Sequence, residues 1–174
     1  MQILAAHKYH SPRNGPLTPE QAEIRRISYA IKTIAAPSVD FHTAAAAMAS
    51  LISGPCWLVP IPNSTGNTDA NTKLAAEIAR LCPGAQVVKA ITRAKPIESQ
   101  CTRHKAGLGP IAQDAHNFRR TPRLLTLRQT YFVDNVATSG NTLAAAHAAL
   151  GFGAGLVFAD AMTHRKQPTQ TTLL

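Results

Sequence analysis

Between Tyr131 and Leu143 the chain reads YFVDNVATSGNTL, an apolar run that passes through a polar, hydroxyl-rich turn straight into an alanine-rich segment. This stretch constrains the fold more than any other, because it demands a buried strand delivered without a linker to a helix. Tyr131, Phe132 and Val133 supply the strand, Asp134 and Asn135 fall at its carboxyl end, and Asn141 opens a helix running to about Leu150. A phosphate over Thr138, Ser139, Gly140, Asn141 and Thr142 would meet backbone N–H groups, the positive end of the helix dipole and three hydroxyls. Gly140 lets the backbone approach such a ligand closely. The plain alternative is a strand-to-helix connection of the kind any α/β domain contains.

Patterning elsewhere extends the alternation. Thr18 is a suitable N-cap, Pro19 fits a first helical position, and Gln21 completes a capping box for a helix to about Ala35, with Ile24, Ile27, Ile31 and Ile34 as its buried stripe. Past the break at Pro37 and Ser38, a second helix is predicted over 41–52. Strands are predicted over 57–61, 86–91, 130–136 and 155–159, with helices over 70–81 and 141–150. Strand and helix in alternation imply a doubly wound, mainly parallel α/β sheet. Ligands of such sheets collect at the carboxyl ends of the strands, where Pro62, Arg93 and Asp134 fall. With no internal repeat and no dividing linker, a single domain over 1–174 is expected, its polar end at 167–174 frayed.

Composition narrows the function classes. With 174 residues, 45% of them hydrophobic, the chain can bury a core without metal or disulfides. Cys56, Cys82 and Cys101 form no C-x-x-C pair, which argues against a zinc ribbon or disulfide framework and for a reducing compartment. None of the seven histidines has a metal-ligand spacing. No apolar run approaches the ~20 residues that span a bilayer, and the opening apolar stretch is short for a secretory signal. A cytoplasmic protein with no membrane partner is expected. A net charge of +9 requires a polyanionic partner, either a phosphate-bearing small molecule or nucleic acid.

Two further segments carry chemistry. After the first core strand, Asn63, Ser64, Thr65 and Gly66 form a turn, with Thr68 or Asp69 placed to cap the next helix; taken alone, such residues fill ordinary turns. Residues 93–128 hold eight Lys or Arg against two acids, a net +6 that accounts for most of the total charge. Pro96, Gly107, Gly109 and Pro110 disfavour a long helix there, so an extended mobile loop with short hairpin or helical pieces is predicted. A solvated basic face, or weak nucleic-acid contact, is the competing use of this charge, with Arg119, Arg120 and Arg123 best placed for the latter.

The Asp134–Thr142 string resembles the phosphoribosyl-pyrophosphate (PRPP) motif of type I phosphoribosyltransferases: an apolar strand, two acidic residues, two spacers, then Thr-Thr-Gly-x-Thr. Asn135 stands where the second acid is usual. The resemblance implies that Asp134 holds the ribose hydroxyls directly or through Mg²⁺, while Asn135, which offers only a neutral carbonyl or amide, lines the same site. It implies a 5′-phosphate cradle of Val136, Ala137, Thr138, Ser139, Gly140, Asn141 and Thr142, and a pyrophosphate loop of Asn63, Ser64 and Thr65, with Lys73 a lesser contributor. Arg93 and Lys95 at the root of the basic loop, then Arg103, His104 and Lys105, would supply cations to the departing pyrophosphate. Arg93, Lys95-Pro96, Gln100, Leu108, Asn117 and Phe118 also look like the strings of competence protein F (ComF-like) phosphoribosyltransferases, whose amino-terminal zinc ribbon this chain lacks.

Carried through, the resemblance implies the type I phosphoribosyltransferase fold: a hood from 1–40 and part of 160–166, a core over about 41–160, and the mobile basic loop over about 93–128. The implied activity is transfer of 5-phosphoribosyl from PRPP to a nucleobase-like nitrogen acceptor, with Mg²⁺ as cofactor and pyrophosphate released. Thr138 occupies the position where hypoxanthine and guanine enzymes usually carry a proton-exchanging Asp, so those purines are not the expected acceptors. Two other classes stay open. One is a PRPP- or nucleotide-binding protein with little turnover, regulatory or accessory to DNA uptake or processing. The other is a nucleic-acid binder whose cradle holds backbone phosphates. A homodimer is also left open.

Overall fold

The computed structural model describes residues 1–11, 15–98, 102–103, 106–109, 111–121 and 128–161. In chain order these form β1 (Ile3–Lys8), α1 (Pro19–Ala30), α2 (Ser38–Ala49), β2 (Cys56–Pro60), α3 (Asp69–Leu81), β3 (Gln86–Val87), β4 (Ile91–Arg93), a 3₁₀ turn (Asp114–His116), β5 (Phe118–Arg120), β6 (Gln129–Ala137), α4 (Asn141–Leu150) and β7 (Ala154–Asp160). Five strands make one sheet in the order β1-β7-β6-β2-β3, every neighbouring pair parallel. The architecture is thus α/β with a parallel central sheet flanked by helices, compatible with a Rossmann-like fold.

Helices cover both faces, which is why β7 reads as a nearly unbroken apolar run and β6 is apolar on both sides at Tyr131, Phe132 and Val133. On one face Leu58, Tyr131, Val133, Leu156 and Phe158 pack with Ile31 beyond α1, Phe41 and Met48 of α2, and Leu74 and Ile78 of α3. On the other, Val59, Ile61, Phe132 and Val157 pack with Leu143, Ala146 and Leu150 of α4 and with Ile91. The capping box at Thr18 and Gln21 forms as expected, each side chain bonding the other's backbone N–H (3.2 and 3.1 Å). Helix α1 is pinned to α2 by Arg26, which donates to both oxygens of the buried Asp40 (2.6 and 3.0 Å). Two such charge-assisted bonds satisfy a carboxylate that would otherwise be costly to bury.

Three sequence expectations are corrected. Residues 3–8, assigned to the hood, form the edge strand of the sheet, Leu4 opposite Leu156 and Ala5 opposite Val157. The stripe of α1 ends early: the helix stops at Ala30 and Ile34 is 55% exposed, because the chain turns toward α2 before that residue can reach the core. The predicted strand over 86–91 is divided. After β3, Val88 still donates to the Leu58 carbonyl (2.9 Å), but the chain then bends and β4 pairs antiparallel with β5 in a separate hairpin, Ile91 opposite Arg120 and Arg93 opposite Phe118. That hairpin bounds residues 94–117, so the predicted basic loop has hairpin strands at its root. Among the described residues no helix is long and apolar enough to cross a membrane.

The sheet order places the site. From β2 the chain passes through α3 to β3 on one side, whereas from β6 it passes through α4 to β7 on the other. The two departures open a crevice between the carboxyl ends of β2 and β6, the topological switch point at which ligands of open α/β sheets bind.

Candidate functional site

Strand β6 runs to Ala137, so Asp134 and Asn135 lie within its last turn of ladder rather than beyond it. Successive strand residues face opposite sides of the sheet, and the two side chains part accordingly. The Asn135 amide donates to the Ser28 carbonyl of α1 (3.2 Å). The half-buried Asp134 accepts from the Asn135 backbone N–H (2.8 Å) and from the Asn71 amide of α3 (3.3 Å), and it feels the charge of Arg93. Burial pushes the Asp134 carboxyl up to about 6, against the opposing pull of those two donors and of Lys32 and Arg93. Val136 and Ala137, expected to line the phosphate, pack into the core, which leaves only their backbone for a ligand.

The turn that follows has the expected shape. Gly140 takes a left-handed φ of 75° at the N-cap of α4, a conformation glycine adopts without strain. The Ser139 hydroxyl accepts from the Asn141 N–H (3.3 Å), while other N–H groups of the first turn of α4 have no acceptor within the helix. Thr138 is exposed, and Ser139, Gly140 and Thr142 are half-buried. Asn141 serves the fold with its side chain, its amide donating to the Ile111 carbonyl (2.8 Å) and tying the basic loop to the start of α4.

Across the crevice, Asn63 organises the loop after β2. Its side-chain oxygen accepts from the Thr65 N–H (3.0 Å), the Thr65 hydroxyl (2.8 Å) and the Asn67 N–H (2.9 Å), and its own N–H donates to the Asn67 carbonyl (2.8 Å). Thr65 is exposed and Ser64 half-buried, with the Ser64 carbonyl accepting from the Ile97 N–H (2.9 Å). Arg93 reaches this loop from β4. Its guanidinium donates to the carbonyls of Asn63 (2.8 Å), Pro62 (3.3 Å) and His116, and stacks 4.4 Å from the Phe118 ring. Burial brings Arg93 down to about 10, so it stays charged at neutral pH. Burial and the Arg93 charge together hold His116 down at about 4, and its Nδ1 lies buried without a partner.

The structure therefore gathers Asp134, Asn135, Asn63, Ser64, Thr65, Arg93 and the turn over 138–142 at one end of the sheet, but several of these groups are already engaged by the backbone. Lys95 is exposed two residues beyond Arg93. Arg103 is turned to its own loop, donating to the Gly109 carbonyl (3.1 Å) and pairing with Glu98 (3.5 Å). Lys73 is directed to the connection between α1 and α2, near the carbonyls of Ile34 and Ala36 and 4.3 Å from the Phe41 ring. His104, Lys105, Gln100 and Arg123 lie outside the described residues. Sequence reasoning missed Asn71, which bridges the Ile61 carbonyl (2.8 Å) and Asp134 and so ties the carboxyl end of β2 to that of β6. It also found no metal-ligand spacing to single out His116, and it gave Ser28 no part. None of the three carries a local motif; each is recruited by long-range contact.

No protein-family model, curated protein or solved structure matches this chain.

Proposed function

We propose that this protein is a phosphoribosyltransferase that transfers 5-phosphoribosyl from PRPP to a nucleobase-like ring nitrogen and releases pyrophosphate. The observation that carries the reading is the joint placement of Asp134 and the Thr138–Thr142 turn at the switch point, facing the Asn63 loop and Arg93. The start of α4 and the hydroxyls of Thr138 and Thr142 suit a 5′-phosphate. Asp134 suits the ribose hydroxyls, as an acceptor already positioned by Asn71. The single carboxylate of Asp134 would suit Mg²⁺ that keeps most of its ligands on phosphate and water, since the Asn135 side chain is turned to α1. When bound, Mg²⁺ would neutralise charge on the pyrophosphate.

In the reaction, the acceptor nitrogen donates its lone pair to C1 of the ribose. The bond from C1 to the pyrophosphate oxygen breaks with its electrons going to pyrophosphate, and an N–H acceptor releases its proton to water. Negative charge builds on the leaving group, so cations placed beside it before the reaction lower the barrier most. Lys95 is exposed for that work, while Arg93 fixes the Asn63 loop and contributes its field. A thermal shift with PRPP and Mg²⁺, beside a random oligonucleotide at moderate salt, tests the reading. PRPP at a hundred times its Kd stabilises a native-state site by about 2.7 kcal/mol. No shift with PRPP, or a shift with the oligonucleotide alone, would refute it.

One observation favours a second reading, a PRPP- or nucleotide-binding protein with little turnover. The Asn135 amide and the Arg93 guanidinium are both committed to backbone carbonyls. Stabilisation by PRPP without pyrophosphate release across a panel of heterocycles would establish that reading over the first.

A further inference from the structure

We propose that the face of α1 bearing Arg25 and Tyr29, continued by Lys32 and by Tyr9 from the end of β1, recognises the acceptor and selects a planar heterocycle carrying a carboxylate. The proposal rests on the phosphoribosyl-transfer reading and names the substrate class of that site. Residues 25, 29 and 32 recur at helical spacing, so they share a stripe with Ser28. The Ser28 carbonyl holds the Asn135 amide, which fixes this stripe beside the ribose end of the crevice. Lys32 is close enough for its charge to act on Asp134. Tyr9 is set against the same region by its backbone N–H, which donates to the Asp160 carbonyl at the end of β7 (2.8 Å).

The chemistry of the stripe calls for an anion. Among the described residues no carboxylate pairs with Arg25 or Lys32, whereas the adjacent Arg26 is bound by Glu23 and Asp40. Arg25 instead reaches the hydroxyls of Tyr9 and Tyr29, and both cations lie over the half-exposed Tyr29 ring, Lys32 at 4.6 Å and Arg25 at 5.2 Å from its centroid. The Arg25 Nε is buried with no acceptor. A buried guanidinium N–H without a partner is costly, and a ligand oxygen would relieve that cost. The Tyr29 phenol is held below its ordinary range, first by the Tyr9 hydroxyl and then by Lys32 and Arg25, while burial and Tyr29 hold the Tyr9 phenol above its own. A planar carboxylate matches this cluster, since the guanidinium binds carboxylate oxygens as a fork while an uncharged base leaves both cations unanswered.

The test uses probe pairs that differ in the acid: orotate against uracil, and nicotinate against nicotinamide. Each is titrated into the full chain by ligand-observed NMR, with and without PRPP and Mg²⁺. At least one acid should bind tenfold or more tightly than its uncharged partner, and that preference should fall at least fivefold in Arg25→Gln and in Lys32→Gln. The PRPP thermal shift should persist in both variants, which separates acceptor recognition from PRPP binding and from misfolding. Lys32 is exposed, so its variant keeps the test decisive if Arg25→Gln does not fold. Equal affinity within both pairs, no binding by either acid, or a preference unchanged in Lys32→Gln would overturn the proposal. Selective acid binding in a protein that shows no PRPP shift would leave this site standing and sink the phosphoribosyl reading instead.

Discussion

At the scale of single residues, Asp134 sets function against stability. Its displacement from an ordinary 3.8 to about 6 means that the folded protein holds a proton there longer than the unfolded chain does. Stability from this group is therefore present in full below about pH 4, falls as pH rises toward 6, and is lost above it; the difference is on the order of 3 kcal/mol. Asp134→Asn keeps an oxygen for the Asn135 and Asn71 donors but has no charge to bury. The variant should melt several degrees higher than the parent at pH 8 and at the same temperature near pH 4, while losing PRPP affinity at least tenfold. Equal melting at both pH values would show that the carboxyl is not perturbed; undiminished PRPP binding would remove Asp134 from the ribose site. Arg93 and Lys95 should also separate. Arg93→Ala leaves three carbonyls without their donor, costing roughly 2–3 kcal/mol, and should weaken product binding and turnover together. Lys95→Ala should lower turnover with little change in melting temperature or in nucleoside monophosphate binding, the signature of a group that acts on the leaving group. A Lys95→Ala enzyme with undiminished turnover would deny it that part.

At the scale of elements, the cradle depends on how closely α4 lies on the sheet. A Cβ at Gly155 would stand 2.8 Å from Leu143 Cδ1 and 3.2 Å from Ile3 Cγ1, so this glycine lets α4 and β1 close over β7. Gly155→Val should cost roughly 1–3 kcal/mol through overpacking. It should also weaken PRPP binding without touching a ligand, because Leu143 lies in the first turn of the helix that forms the cradle. Denaturant melts beside PRPP titration check this, and a destabilised variant with parental affinity would uncouple α4 position from the site. The loop after β2 responds differently. Asn63→Ala removes three hydrogen bonds to one exposed side-chain oxygen, for about 1–2 kcal/mol at most, yet it releases the turn over 63–67. Pyrophosphate affinity should drop more than global stability in that variant, and parallel losses would argue that the loop is structural only.

For the whole molecule, β1 decides whether the amino-terminal residues are an accessory or part of the sheet. It pairs in parallel with β7 over Ile3–Lys8, and Ile3, Leu4, Ala5 and Ala6 pack against the two core clusters. A chain beginning at Tyr9 should therefore lose cooperative thermal unfolding or aggregate through the exposed edge of β7, rather than fold as a core without its hood. Circular dichroism melts and size-exclusion profiles read the outcome; a monomeric truncated chain with an unchanged melt would return residues 3–8 to a peripheral role. The same strand delivers Tyr9 beside α1, so sheet edge and proposed acceptor face are one assembly.

What the residues determined alone is local. The capping box at Thr18, the strand-turn-helix from Tyr131 to Leu150, the helix over 70–81 and the need for a parallel sheet all follow from periodicity and turn chemistry, which act within a few residues. Asp134 and the turn over 138–142 were legible for the same reason. Partners that lie far apart in the chain were not. Nothing in ILAAHK distinguishes an edge strand from a short apolar opening until β7 supplies its hydrogen bonds. Asn71, Ser28 and His116 gain their places only when α3, α1 and the loop before β5 close on the ends of β2 and β6. The sequence offers Arg93 as a cation for pyrophosphate at the root of the basic loop, whereas the fold makes it a clamp on two loops, and Asn135, in a position where an acid is usual, becomes a tie to α1. Burial and long-range hydrogen bonding decide which polar groups remain available to a ligand, and neither quantity exists before the sheet has assembled.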